Sequence, residues 1–245
     1  MANNWDVNQI LASLAPEDAA RVTQRLRPVH LTLRQCLEAA YRPITTVYFP
    51  LRGLVSVVAV SSNHRHEAEV GLIGYEGMTG VAIVLGAETS PFNAYVQTEG
   101  EGLCLEAREL TQLLDESLAL RCALLRYVHV FAVQMAETAL ANSRGDITRR
   151  LARWLLMAHD RTEGDELRLT HEFLAVILGV RRAGVTTTLH DLGSRGLISI
   201  TRRSIVIKSR PGLEAISDGL YGVAERELAR WLVSSTKNRG RAALE

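Results

Sequence analysis

Cysteine is scarce in this chain, and the cysteines present stand far apart. Cys36, Cys104 and Cys122 are the only three in 245 residues, so they form no Cys-x-x-Cys pair and no metal-ligand series. An odd, scattered set also gives no disulfide framework, which makes a reduced cytoplasm the expected compartment. Net charge is nearly absent as well, at +1, so whole-chain electrostatics neither favour nor exclude a nucleic-acid partner. The opening residues MANNWDVNQI lack the basic start and apolar run of a signal peptide. The one long apolar run, residues 118–141, is interrupted by Arg121, Arg126, His129, Gln134 and Glu137. Such side chains are costly in a bilayer, so no membrane partner is expected. There is no nucleophile-elbow or phosphate-loop pattern and no evident acid–base carboxylate pair, so an enzyme is not expected. No cofactor is implied. No metal is expected either: His64-Arg65-His66-Glu67 has metal-friendly side chains, but an expected hairpin tip already explains polar residues there.

Hydrophobic residues make up 47% of the chain and charged residues 22%, enough to bury ordinary globular cores. The length suits two domains. Charge is divided unevenly along it. From Asp146 onward Arg and Lys outnumber Asp and Glu, and before Asp146 the balance is reversed. A basic C-terminal part beside an acidic N-terminal part is what a phosphate-binding module joined to a separate domain would show.

Residues 6–26 read as short helices, the first capped by Asp6 and the second started by Pro16. Short β-rich runs follow at 29–33, 44–49, 54–60, 67–73, 94–98 and 103–106, punctuated by Gly53, Gly71, Gly74, Gly77, Gly80 and Gly100. Such spacing suggests a small β-barrel or sandwich. Residues 108–116 then read as a short helix and 117–142 as a long one, on the order of 35–40 Å at 1.5 Å per residue. The long helix has two apolar seams. One contains Leu118, Cys122, Leu125, Ala132, Ala136 and Ala139; the other contains Leu124, Val128, Phe131 and Met135. A helix apolar on two sides must be covered on two sides, by the β-domain and a partner subunit or by one large monomer. His129 and Arg126 lie within it as candidates for pairing across a dimer, and His129 joins the first seam as a dimerisation candidate. Residues 142–145 read as a hinge. Asp146 caps a helix over 147–159, and residues 161–165 read as a polar loop.

Residues 170–189 fit a helix-turn-helix position by position. Thr170 is an N-cap, and Glu172 lies in the first turn, where the helix dipole favours an anion. Leu174 and Leu178 point one way, Ala175 is small where two helices approach, and Gly179 suits a turn requiring positive φ. Val185, Leu189 and Leu192 give the second helix an inner face. Arg182, Ala183, Thr186, Thr187 and His190 are left pointing outward, with His171 and Arg181 flanking them. In such a motif the second helix enters the major groove of double-stranded DNA. Arg182 is suited to a bidentate contact with guanine, and Thr186 or Thr187 to bases or phosphates. Residues 197–201 and 205–208 form two β-runs joined by Arg202-Arg203-Ser204, a wing whose arginines would meet phosphates. Closing helices are expected over 213–234, after a stop at Pro211-Gly212.

With these residues in view, the sequence resembles the Crp/Fnr family of bacterial transcription regulators over nearly its whole length. Carrying the resemblance are the winged helix-turn-helix with Gly196-Leu197-Ile198 and the segment Gly74-Tyr75-Glu76-Gly77-Met78-Thr79-Gly80. That glycine-rich segment is similar to one in the family's cyclic-nucleotide-binding-like β-roll. The implied fold class is α+β: a β-roll sensor domain over 1–116, a dimerisation helix and hinge over 117–145, and a winged helix-turn-helix domain over 146–245. The resemblance implies a homodimer reading half-sites about 34 Å apart, with RNA polymerase a further candidate partner. It also draws attention to Glu76, Gly77, Phe92 and Asn93 as effector-binding candidates. Two family features are missing. Pro91-Phe92-Asn93-Ala94 stands where cyclic-nucleotide binders carry an Arg-Ser pair for the phosphate, so control by cyclic AMP is not expected. No cysteine precedes Cys36, so no N-terminal iron–sulfur cluster is expected. Ala183 and Thr187 replace an acidic and a basic reader, which implies a different DNA sequence.

Overall fold

The computed structural model describes residues 4–63, 66–201 and 204–242. A 3-10 turn (Trp5–Val7) leads into α1 (Gln9–Ala12) and α2 (Pro16–Thr23). Asn8, not Asp6, caps α1. Its side-chain oxygen accepts from the N–H groups of Ile10 and Leu11, and its amide donates to the carbonyls of Pro50 (3.0 Å) and Gly77 (2.9 Å). Asp6 lies inside the preceding turn.

Seven strands follow: β1 (Arg27–Leu31), β2 (Cys36–Glu38), β3 (Thr46–Pro50), β4 (Leu54–Val60), β5 (Glu67–Ile73), β6 (Phe92–Thr98) and β7 (Gly100–Glu106). A short helix, α3 (Val81–Val84), interrupts them. They form two antiparallel sheets of order β1-β7-β3 and β2-β6-β4-β5. Register puts apolar residues opposite one another, Phe49 with Leu103 and Val47 with Leu105 in one sheet, Val55 with Ile73 and Val96 in the other. These side chains are buried in one core, so period-2 alternation sets the register by keeping them there. The brief elements β2 and α3 carry no such period, and the sequence pattern does not announce them.

After the roll come α4 (Ala107–Glu116) and α5 (Leu118–Arg144). Ser117 caps α5 by accepting from the N–H of Leu120 at 3.0 Å. The expected hinge is shorter than its four residues, since the helix runs through Asn142, Ser143 and Arg144 and breaks at Gly145. A Cβ at Gly145 would stand 2.8 Å from the Ala141 carbonyl and from Leu220. Beyond it lie α6 (Ile147–His159), capped by Asp146, β8 (Glu166–Leu167), α7 (His171–Leu178), α8 (Arg182–Ser194), β9 (Ile198–Ile200), β10 (Ile205–Ile207), α9 (Arg210–Ser217) and α10 (Val223–Ala242). The last three strands form a small sheet of order β8-β10-β9. Pro211 and Gly212 lie in the first turn of α9, where proline's missing N–H costs nothing. They begin a helix instead of stopping the wing. The class is thus α+β, with an N-terminal β-roll, a long helix and a C-terminal winged helix-turn-helix.

Helix α5 has one covered seam and one bare one. Leu120, Leu124, Tyr127 and Phe131 are buried against the roll, whereas Leu118, Cys122, Leu125, Ala132 and Ala136 are exposed. Among the described residues it is the one helix long and apolar enough to cross a membrane, yet its inner seam is already used by the sheet. The approach is close: a Cβ at Gly71 would meet Phe131 at 2.6 Å. Strand β5 is the last of its sheet, and Gln134 completes it. The Gln134 side-chain oxygen accepts from the N–H of Leu72 at 2.6 Å, and its amide donates to the Leu72 carbonyl at 3.2 Å. A buried side chain thereby takes the place of a further strand.

Gln134→Leu keeps the volume and leaves both backbone groups of Leu72 buried and unpaired. Each costs about 1–3 kcal/mol, so urea denaturation of this variant is expected to show a loss of about 2–4 kcal/mol.

Candidate nucleic-acid interface

The recognition unit is built by α7, α8 and the turn between them. Thr170 caps α7 by accepting from the N–H of Phe173 at 3.2 Å. Gly179 ends α7 with φ +61°, and the N–H groups of Gly179 and Val180 return to the carbonyls of Val176 and Ala175. Open space surrounds the position a Gly179 Cβ would take, so it is the left-handed backbone that calls for glycine. Leu174, Leu178, Val185, Leu189 and Leu192 are buried together with Leu151, Leu155 and Leu213. Gly184, within α8, lets that helix approach α6: a Cβ there would stand 3.3 Å from the Ile147 side chain. Its place is explained by packing, not by the outer face.

The outer face of α8 holds Arg181, Arg182, Ala183, Thr186, Thr187 and His190, all exposed. Neither Arg181 nor Arg182 has an ion-pair partner among the described residues, whereas Arg149, Arg195 and Arg210 nearby are paired with Asp218, Asp191 and Asp160. His171 reaches Thr186 across the motif, Nδ1 to Oγ1 at 3.0 Å, and Thr187 donates to the Ala183 carbonyl. The wing pairs Ile205 with Ile200 and Ile207 with Ile198. Arg202 and Arg203, expected at its tip, lie outside the described residues, as do His64 and Arg65.

The effector candidates do not converge. Glu76 is 5% exposed and bound to Arg161 and to the N–H of Gly74. Gly77 packs against Tyr127, whose ring and hydroxyl occupy the space a Cβ there would need. Asn93 accepts from the N–H of Ala40 at 2.7 Å. Of the four, only Phe92 lines the cavity of about 330 Å³ between the roll and α5, together with Ile73, Phe131 and Met135. The glycines around Glu76 point to a ligand, but the charge of Arg161 draws its carboxylate to the opposite side.

Comparison with known proteins agrees with this geometry. Residues 149–216 match the Crp-like helix-turn-helix domain. The Global nitrogen regulator of Synechocystis sp. is 29% identical over 177 residues, 67% of this chain and 77% of that protein. The CRP-like protein Clp of Xanthomonas campestris pv. campestris is 24% identical over 181 residues, 67% and 76% of the two chains. Among solved structures, FixK2 from Bradyrhizobium japonicum superposes with a TM-score of 0.68 at 15% identity, covering 78% of this chain and 96% of that one. The Xanthomonas campestris CLP structure gives 0.61 at 20% identity, covering 80% and 100%; these two likenesses speak to the fold alone. The chain thus carries a Crp-like helix-turn-helix domain and is similar to Crp-like regulators over about two thirds of its length.

In this chain the β-roll and the winged helix meet through buried polar groups. Arg161, expected in a polar loop, is 7% exposed; its Nε donates to Glu76 at 2.6 Å and its Nη1 to the Met157 carbonyl at 2.8 Å. The Trp154 indole N–H donates to Glu69 of β5 at 2.6 Å, and Ser56 donates to the same carboxylate. The Tyr75 hydroxyl donates to the Asp160 carbonyl, while Asp160 accepts from Tyr221 and pairs with Arg210. Leu54 and Leu72 of the roll share the apolar core of the C-terminal domain. A buried indole N–H requires an acceptor, so Trp154 is the one sequence signal of such a junction.

Burial pushes the Glu69 carboxyl up to about 7, against the lowering pull of its Ser56 and Trp154 hydrogen bonds and of Arg153 and Arg161. The folded protein therefore holds this proton at pH values where the unfolded chain has released it. The resulting stabilisation is fully present below about pH 4.5 and is lost as pH rises through about 7. Glu69→Gln keeps an acceptor for Trp154 and cannot ionise. Urea midpoints of the two proteins, measured from pH 4.5 to 8, are expected to diverge in favour of Glu69→Gln as pH rises.

Proposed function

We propose that the chain binds duplex DNA sequence-specifically as a homodimer in the cytoplasm, with α8 of each protomer in the major groove. The observation that carries this reading is the outer face of α8, where Arg181 and Arg182 stand exposed beside two threonines, without acidic partners among the described residues. An unpaired guanidinium on a rigid helix is suited to the paired acceptors of guanine. Arg182 is the main base reader, Arg181 and Thr187 serve bases or phosphates, and Arg202 and Arg203 meet the backbone. His171, tied to Thr186, fixes the approach of α7 to the same groove.

The bare seam of α5, running from Leu118 through Cys122, Leu125 and Ala132 to Ala136, is the dimerisation surface. His129 flanks it, half-paired with Glu227 at 3.9 Å. An apolar stripe along most of a helix this long is more than a monomer leaves in water without a use. The working units are then a sensor domain over 1–116, the dimerisation helix over 117–145 and the DNA-binding domain over 146–245. RNA polymerase is a further partner in this reading.

Cyclic AMP does not control it. No arginine, lysine or histidine lines the roll cavity among the described residues, and an apolar wall cannot replace charge-assisted contacts to a phosphate. The Xanthomonas CLP is described as responsive to c-di-GMP; for this chain the effector reading survives in a different form, a non-phosphate ligand in the same roll. That alternative is favoured by the cavity itself.

Gel-shift titration with genomic fragments is expected to give saturable binding that weakens steeply with salt. Arg182→Ala is expected to weaken the specific complex by about 1–3 kcal/mol without changing thermal stability; full retention of specific binding would refute the role given to Arg182. Leu125→Glu puts a charge in the seam, and sedimentation is expected to show a folded monomer with greatly reduced DNA affinity.

A further inference from the structure

The cavity between the β-roll and α5 is apolar except at one end. There Glu38 of β2 faces Thr79, Gly80 and Ser90. The Glu38 carboxylate accepts a hydrogen bond from the backbone N–H of Gly80 and another from the Thr79 side chain. These donors are what an anionic ligand entering this end would need. The chain's own carboxylate already holds them. Among the described residues Glu38 is the only charged one lining the cavity, and it has no basic partner there. A partly buried carboxylate without a counter-charge repels a second anion and attracts a donor. The opposite walls, formed by Ile73, Phe92, Phe131 and Met135, offer dispersion contacts and no polar groups.

We propose that Glu38 is the specificity-determining residue of this cavity: it excludes anions, phosphates included, and selects a compact, largely hydrocarbon ligand with a hydrogen-bond-donating end, hydroxyl or ammonium. The donor end meets Glu38, and the hydrocarbon body lies between Phe92 and Phe131 against α5. The proposal rests on the effector reading above and supplies the chemical class of the ligand. Because Phe131 and Met135 belong to α5, the ligand touches the same helix that carries the bare seam.

Three probes of nearly equal size test it on the full chain: phenethylamine, phenethyl alcohol and phenylpropionate, with cyclic AMP as a fourth. Binding is read by titration calorimetry and by shifts of the Met135 methyl signal in methionine-labelled protein, without reference to DNA. The amine and the alcohol are expected to bind saturably and move Met135, with phenylpropionate and cyclic AMP weaker by about tenfold or more. In Glu38→Gln the amine is expected to lose about tenfold in affinity, the alcohol to be little changed and phenylpropionate to gain. Wild-type selectivity alone decides the matter if that variant does not fold. Equal or tighter binding of phenylpropionate or cyclic AMP overturns the proposal, as does failure of both amine and alcohol to bind. Selective binding that leaves DNA affinity unchanged would instead refute the effector reading and leave the selectivity of Glu38 standing.

Discussion

A sheet that ends inside a protein must have its last edge satisfied, and here that requirement organises the molecule. Strand β5 closes the four-stranded sheet of the roll, and the amide of Gln134 pairs with both backbone groups of Leu72. This fixes the rotation of α5 about its own axis. With Gln134 and Phe131 committed to β5, the residues on the far side of the helix have no choice but to face outward. The bare seam of Leu118, Cys122 and Leu125 is a geometric result of an internal hydrogen-bond pair. The same strand carries Glu69, which receives the indole of Trp154. One edge strand thus positions both the long helix and the winged domain.

Buried ionic groups at such a junction contribute more to geometry than to net stability. Arg161 and Glu76 give up hydration on burial, and their attraction returns roughly what that desolvation costs. Their effect is on orientation: a guanidinium held by Glu76 and the Met157 carbonyl allows α6 few positions on the roll. Tyr75, Asp160, Tyr221 and Arg210 extend the same polar set toward α9 and α10. An apolar junction of equal area would slide more easily, because dispersion and hydrophobic contacts have little directionality.

Much of this is legible in the sequence because it is written in local periodicity. The strands of the roll alternate, the two seams of α5 repeat at helical spacing, and residues 170–189 carry a cap, a turn glycine and an apolar inner face in order. The unreadable parts are those decided by partners distant in the chain. Glu38 lies in a strand too short to show a period, and its role depends on Thr79 and Gly80, which the fold brings from across the roll. Arg161 reads as a loop residue until Glu76 is placed beside it. Glu76 itself misleads, because its glycine-rich surroundings point to a ligand and its actual partner is a side chain from the other domain. Asp6 reads as the cap, and Asn8 replaces it through contacts with the carbonyls of Pro50 and Gly77, which are distant in the chain.

The shared boundary between the two cores bears on how modular this protein is. Leu54 and Leu72 belong to the roll by sequence and to the C-terminal core by packing. A winged domain cut free after Gly145 would expose the apolar surface that covers them, strand the indole N–H of Trp154 and take from Arg161 its Glu76 partner. Grafting this domain onto another roll would therefore succeed only if the recipient presented carboxylates at the positions of Glu69, on β5, and Glu76, in the turn after it. What can be exchanged without disturbing that core is the outer face of α8, since Arg181, Arg182, Ala183, Thr186 and Thr187 are exposed while Val185, Leu189 and Leu192 are buried with Leu151 and Leu155.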